Sequence, residues 1–216
     1  MSGYYFPSTG FIHVITGPMY SGKTTALMAR IKREVIAGKR SMIFKPDIDN
    51  RYSTENIMSH DGEEIHANSI RCKLNKGKEP RAVSKQILKE IHPSVDIVGI
   101  DEGQFFDQQL VEVCETLANR GVQVVVSGVD MDYRCQPFEP MASLMAVAEF
   151  VDKIPAVCFV CGAPATKIQR FHNDHPSLWY EPTIVVGSNI EGDSFQYEAR
   201  CRKCYVEPIK LILGGK

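Results

Sequence analysis

The sequence has no surplus of charge of either sign: 25 Lys and Arg face 26 Asp and Glu, a formal net charge of −1. No general basic field is available to hold nucleic acid or an anionic membrane, so any polyanion must be bound locally. Apolar runs approaching the ~18–20 residues that span a bilayer are missing. The stretch Met1 to Gly10 has neither the basic segment nor the apolar core of a secretion signal. The expectation is a cytoplasmic protein with no membrane partner. Internal repeats and low-complexity tracts are absent as well, which argues against arrays and fibres. What remains is ordinary globular material, 44% apolar and 24% charged, in 216 residues. That length suits one α/β domain with a small annex.

Cysteine is present in an odd number, 7. In a reducing compartment that count speaks against a disulfide framework and for metal binding by whichever thiols cluster. Four do cluster, as Cys158-x-x-Cys161 and Cys201-x-x-Cys204, while Cys72, Cys114 and Cys135 are scattered and suit packing.

Phe11 to Ile15 is a short apolar run ending at Gly17-Pro18, the pattern of a buried strand entering a loop. From Thr24 to Ala37 the apolar Leu27, Met28, Ile31 and Val35 recur at helical spacing, and Gly38 ends the run. Ser41 to Phe44 reads as a second strand. Residues 47–78 are polar and aperiodic, a loop with room for a hairpin. Pro80 opens a predicted helix carrying Val83, Ile87, Leu88 and Ile91; Val95–Ile100 is a strand; Leu110–Leu117 is a helix; Val122–Val126 is a strand; and Glu139–Phe150 is a closing helix. Strands and helices alternate, and the strands are continuously apolar, so the chain should form a mostly parallel sheet covered on both faces. Such sheets take ligands at the carboxyl ends of their strands. Prolines and glycines thicken after residue 150, which divides the chain into 1–150 and 151–216.

Gly17-Pro18-Met19-Tyr20-Ser21-Gly22-Lys23-Thr24 fits the G-x-x-x-x-G-K-[ST] phosphate loop, between a predicted strand and a predicted helix as that chemistry requires. Its backbone N–H groups would cradle phosphate oxygens at the helix N-terminus. Lys23 would reach the outer phosphates, and the Thr24 hydroxyl would ligate a Mg²⁺ bridging them. The strand Val95–Ile100 delivers Asp101 and Glu102 to the same sheet edge. Asp101 suits the magnesium shell, and Glu102 beside it is free to act as a base. A helix-capping role is the plain alternative for this acidic pair.

The cysteine pairs lie farther apart than the ~15–20 residues of a compact zinc ribbon. Each can nevertheless turn two thiolates toward one ion, and a closed four-thiolate set is a structural zinc site, worth roughly 10–16 kcal/mol of apparent binding in small-peptide terms. Arg200, Arg202 and Lys203 flank the second pair, which keeps open a phosphate-loop ATPase whose zinc ribbon binds nucleic acid. A nucleotide-binding regulator without catalysis is a third possibility, and a redox role would need only one of the pairs.

Taken with Asp101-Glu-Gly-Gln-Phe-Phe106, Asp49-Asn-Arg-Tyr52, Ser59-His-Asp61, Asp130-Met-Asp-Tyr133 and Pro137-Phe138, the loop and the cysteines resemble the type II thymidine kinase family from about Phe11 to Tyr205. The resemblance implies a RecA-like core with a zinc-held lasso domain, and ATP-dependent phosphorylation of the 5′-hydroxyl of thymidine with Glu102 as base. It places Gly17 through Thr24 and Asp101, Glu102, Gly103 and Gln104 at the ATP site, and Asp49 and Arg51 near the phosphates and Mg²⁺. Met19, Phe105, Val129, Tyr133, Phe138, Ile168 and Tyr197 fall around the nucleoside. A homotetramer and feedback inhibition by dTTP are also implied, and no nucleic-acid partner. Two positions depart from the family pattern: the lasso Gly187–Tyr197 is longer, and Ile168 stands where Thr is common.

Overall fold

The computed structural model describes residues 10–47, 56–58, 62, 64–73, 79–185, 189–190 and 193–210. Strand β1 (Phe11–Thr16) leads through the phosphate loop into helix α1 (Lys23–Ile36), and β2 (Ser41–Asp47) follows. A short antiparallel hairpin, β3 (Asn56–Met58) with β4 (Glu64–His66), occupies the polar stretch. Strands β5 (Asn68–Lys73) and β6 (Arg81–Ala82) come next, then helix α2 (Ile87–Glu90), β7 (Ile97–Ile100), α3 (Leu110–Asn119), β8 (Gln123–Gly128), α4 (Met141–Val147) and β9 (Phe150–Lys153).

Seven of these strands form one sheet in the order β6-β5-β2-β7-β8-β1-β9. Every pairing in it is parallel except β5 with β6. The expected α/β core is thus present, and the reason lies in the strands themselves. All six residues of β8 and all four of β7 are buried, because helices cover both faces. Alternation along each strand sorts the side chains. Ile15, Ile43, Ile97 and Val125 meet Leu27, Met28 and Ile31 of α1 on one face. Ile12, Val14, Phe44, Val98, Val124 and Val126 meet Leu110, Val113 and Leu117 of α3 and Met141 and Leu144 of α4 on the other. Three of the four predicted stripe residues of α1 are these core contacts; the fourth, Val35, is 47% exposed, because it lies in the last turn of the helix, past the part that packs on the sheet.

Two expectations change. The predicted helix from Pro80 begins only after a 3₁₀ turn at Ser84–Gln86, since Arg81–Ala82 is drawn into the sheet beside Cys72 and Lys73. The closing helix ends at Val147, and Phe150 starts β9, which runs parallel to β1; the Glu149 carboxylate accepts from the Ile12 amide at 2.7 Å. The large sheet therefore continues through Lys153. Beyond it the chain changes character: β10 (Ala156–Val157) pairs with β11 (Pro164–Ala165). A four-stranded antiparallel sheet then joins β12 (Lys167–His172), β13 (His175–Pro176), β14 (Asn189–Ile190) and β15 (Asp193–Arg200) in the order β13-β12-β15-β14.

Candidate active site

The loop Gly17–Thr24 leaves the carboxyl end of β1 and turns directly into α1. Two glycines make that turn. Gly17 has φ +151°, and a Cβ there would sit 2.1 Å from the Ile154 carbonyl oxygen; Gly22, the N-cap of α1, has φ +79°. The first turn of α1 carries no acidic side chain, so its positive end is available to an anion. Lys23 is buried at 9% exposure, its Nζ donating to the Pro18 carbonyl oxygen at 2.7 Å. Burial lowers its pKa, opposed by the charges of Glu102, Asp101 and Asp130. The Ser21 hydroxyl donates to the same Pro18 oxygen at 2.9 Å.

Asp101 stands just past the end of β7, across the top of β8 from the loop. Its carboxylate accepts from the Thr24 hydroxyl at 3.2–3.3 Å and closely from the Ser127 hydroxyl at the end of β8. Burial first, and the neighbouring Glu102 charge second, push its pKa up to about 6. A buried carboxylate and a hydroxyl facing each other beside a phosphate loop fit the oxygen-rich ligand set of Mg²⁺.

Glu102 adopts φ +53°, a left-handed conformation that costs a non-glycine residue energy and recurs where function demands it. The twist takes its side chain out of the strand direction and into the cavity beside the loop. There its carboxylate closely accepts from the Gln104 side-chain amide, whose oxygen in turn accepts from the Val129 N–H at 2.9 Å. Gln104 is thus fixed at both ends and holds Glu102 in place.

The cavity encloses about 480 Å³, a volume suited to a small organic ligand. Its polar lining includes Gly22, Lys23, Thr24, Glu102 and Gln104, and its apolar and aromatic lining Met19, Phe105, Val129, Tyr133, Phe138, Ile168 and Tyr197. The structure therefore brings all seven sequence-selected apolar and aromatic residues into one hollow with the loop lysine and the acidic strand end. Tyr20 also lines it, whereas Gly17, Pro18, Ser21, Asp101 and Gly103 lie around it rather than on its wall. Asp49 and Arg51 fall outside the described residues. Thr25, Met131, Asp132, Thr183, Ile184, Val185 and Phe195 line the cavity too. The motif Asp130–Tyr133 gave a signal for two of these, but Thr183–Val185 sits in a stretch without periodicity or motif.

The four paired cysteines converge. Their sulfur atoms all lie within 4.8 Å of one another, and Cys161 Sγ and Cys201 Sγ are 3.6 Å apart. Tetrahedral zinc with Zn–S near 2.3 Å requires sulfurs about 3.8 Å apart, so the set fits a structural metal ion such as zinc. The backbone prepares it: Gly162 N–H donates to Cys158 O at 2.9 Å and Cys204 N–H to Cys201 O at 3.1 Å, folding each pair into a tight turn. Burial opposes ionisation of Cys158, but the backbone N–H groups of Cys201, Cys161 and Val160 outweigh it and bring the thiol to about 6. Cys201 is lowered as well, chiefly by the Cys204 N–H, whereas hydrogen bonds to Cys161 and Cys201 raise Cys204 to about 12. Phe159, inside the first pair, packs its ring 5.7 Å from that of Tyr20 in the phosphate loop.

The family follows from sequence comparison. A family model described as thymidine kinase matches residues 10–205. A thymidine kinase of Haloquadratum walsbyi (strain DSM 16790 / HBSQ001) is 42% identical over 221 residues, covering 92% of this chain and 96% of the relative. Among solved structures, domain III of the Thermotoga maritima replication initiation protein DnaA is similar with a TM-score of 0.38 and 17% identity, over 69% of this chain and 57% of that one. The family match spans the phosphate loop, Asp101-Glu102, the cavity and all four clustered cysteines: this chain belongs to the thymidine kinase family and is an enzyme that phosphorylates thymidine.

Proposed function

We propose that ATP is the phosphoryl donor, that its phosphates lie in the Gly17–Thr24 loop, and that thymidine rests on the apolar and aromatic lining of the cavity with its 5′-hydroxyl toward Glu102. The observation that carries this is the single cavity in which Lys23 and Glu102 share a wall with seven apolar and aromatic residues. A flat base wants aromatic and thioether surfaces, with a few polar groups to fix its edge. Backbone N–H groups of the loop and Lys23 hold and stabilise charge on the transferred group. Glu102, held by Gln104, accepts the proton of the attacking hydroxyl. Thr24 and Asp101 are the residues that would hold Mg²⁺, which when bound neutralises phosphate charge.

The small sheets built from β10 to β15, after the large sheet ends at Lys153, serve as a lasso domain over the acceptor, with the four thiolates holding structural zinc. Further parts of this reading rest on the family resemblance: a homotetramer, inhibition by the end product dTTP, and nucleotide salvage for DNA synthesis in the cytoplasm. The activity test is ADP release from metal-replete protein with Mg·ATP and thymidine, deoxyuridine, deoxycytidine or no acceptor. Thymidine-stimulated turnover is expected; ATP hydrolysis indifferent to nucleosides and stimulated by DNA overturns the acceptor assignment.

A further inference from the structure

Arg170 in β12 is fully buried, at 0% exposure. A buried guanidinium must place its donors well, because an unpaired buried charge is costly. Here they converge on one segment: Nε donates to Ser177 Oγ at 2.9 Å, Nη1 to the Pro182 carbonyl oxygen at 2.6 Å and Nη2 to Glu181 Oε2 at 3.0 Å. Its charged face lies 3.6 Å from the centroid of the Tyr133 ring and 5.2 Å from that of Phe195. Burial raises the pKa of the Tyr197 hydroxyl, and the charge of Arg170 opposes that shift. Tyr133, Phe195 and Tyr197 line the cavity, and Pro182 leads directly into lining residues Thr183–Val185, whereas Arg170 itself does not reach the cavity wall.

Other contacts complete the tie. The Tyr133 hydroxyl lies 2.8 Å from the Leu178 carbonyl oxygen and 3.0 Å from that of Glu181, fastening the same segment from the core side. Burial alone would raise the Glu181 carboxyl, but the Leu178 N–H, Ser177, His172 and Arg170 bring it below its ordinary value. One cation thus joins three separate stretches of chain: the loop after β8, the segment 177–183 and strand β15.

We propose that Arg170 is a positioning residue for the acceptor nucleoside, fixing the base pocket by tying segment 177–183 to Tyr133 and β15. The inference rests on the acceptor-pocket assignment above. A wall ordered before the ligand arrives need not be ordered at its expense, so losing the tie weakens nucleoside binding. The named partners of Arg170 all lie on the acceptor side, and the phosphate loop and Glu102 should be left as they are. Lysine at 170 would keep the charge but not the planar fork that spans Ser177, Glu181 and Pro182 together.

The test measures thymidine binding by titration calorimetry for wild type, R170K and E181Q, with kcat and the KM for ATP and thymidine, and melting temperature as the control for folding. Thymidine Kd and KM should rise by about tenfold in R170K and by roughly threefold in E181Q, with the KM for ATP and kcat at saturating thymidine little changed. A purely structural role would lower the melting temperature without splitting the two KM values. Unchanged thymidine affinity in the folded variants overturns the proposal, and E181Q, close to isosteric, decides alone if R170K fails to fold. Wild-type protein that binds ATP but not thymidine would instead overturn the acceptor-pocket assignment, and this inference with it.

Discussion

The Thr24 hydroxyl lies 3.2 Å from Asp101 Oδ2, although 77 residues separate the two in sequence. The parallel sheet makes that meeting possible, since β1, β8 and β7 lie side by side and end at the same edge. T24A and D101N should each lower kcat by ~10²-fold or more at saturating ATP and raise the magnesium concentration needed for half-maximal rate. A magnesium titration of steady-state turnover checks this, and an unmoved midpoint in both variants would contradict it.

Glu102 is the group assigned to take the 5′-hydroxyl proton. E102Q keeps the size of the side chain and its ability to meet Gln104 but cannot accept that proton. It should lower kcat by ~10²–10⁴ with ATP affinity retained. Near-normal turnover in E102Q would remove Glu102 from the role.

Asp101 is buried, and burial first, then the Glu102 charge, raise its pKa to about 6. A carboxyl raised above its unfolded value of about 3.9 holds its proton more tightly in the folded state. In the absence of magnesium and nucleotide, this group's contribution is most favourable below the unfolded pKa and is lost as pH rises to about 6. D101N should therefore flatten that part of the stability profile and melt at a higher temperature than wild type at pH 7.5, despite its lowered kcat. Melting curves from pH 4 to 8 measure it; parallel profiles for the two proteins would contradict the assignment.

Metal removal is predicted to act on the small sheets first. The sulfurs of Cys158, Cys161, Cys201 and Cys204 bring β10, β11 and the end of β15 together around a small core in which, among the described residues, the buried side chains besides the cysteines are Ala156, Ala165 and Ala199. Chelation, or C161S, should release about one metal ion per chain and increase amide exchange in residues 156–205 before the large sheet. Exchange protection unchanged after complete metal loss would show that the thiols do not carry this fold.

Gly17 is a narrower test. An added Cβ would lie 2.1 Å from the Ile154 carbonyl oxygen, at φ +151°. G17A should destabilise the chain by about 1–3 kcal/mol and weaken ATP binding through displacement of the loop. Urea unfolding with nucleotide titration checks both, and wild-type values would mean that the loop tolerates a side chain there.

The parts of this site visible in the sequence are those in which chemistry constrains neighbours along the chain. Gly17 through Thr24, Asp101-Glu102 and the two cysteine pairs carry their spacing with them. Leu27, Met28 and Ile31 of the α1 stripe are likewise local and pack as their period predicts, whereas Val35, at the same spacing, stays exposed near the end of the helix. What escaped depends on distant partners. Arg81–Ala82 has a helical pattern ahead of it but is captured by β5, and the Arg81 guanidinium donates closely to the Gln104 carbonyl oxygen. Phe150 ends an apparently helical run because β1 offers it a parallel neighbour at His13. Thr183–Val185 becomes cavity wall through Arg170 and Glu79, whose carboxylate accepts from the Thr183 and Ile184 amides at 2.6 and 2.9 Å. Neither relationship leaves a mark in local composition.

The central claim is direct transfer from ATP in the phosphate loop to an acceptor nucleoside beside Glu102. It is tested most directly by following the γ-phosphoryl group of ¹⁸O-labelled ATP by mass spectrometry in a single turnover with thymidine. The account predicts thymidine 5′-monophosphate carrying the label, formed by wild type and nearly abolished in E102Q. Label recovered as inorganic phosphate at a rate independent of thymidine would contradict it.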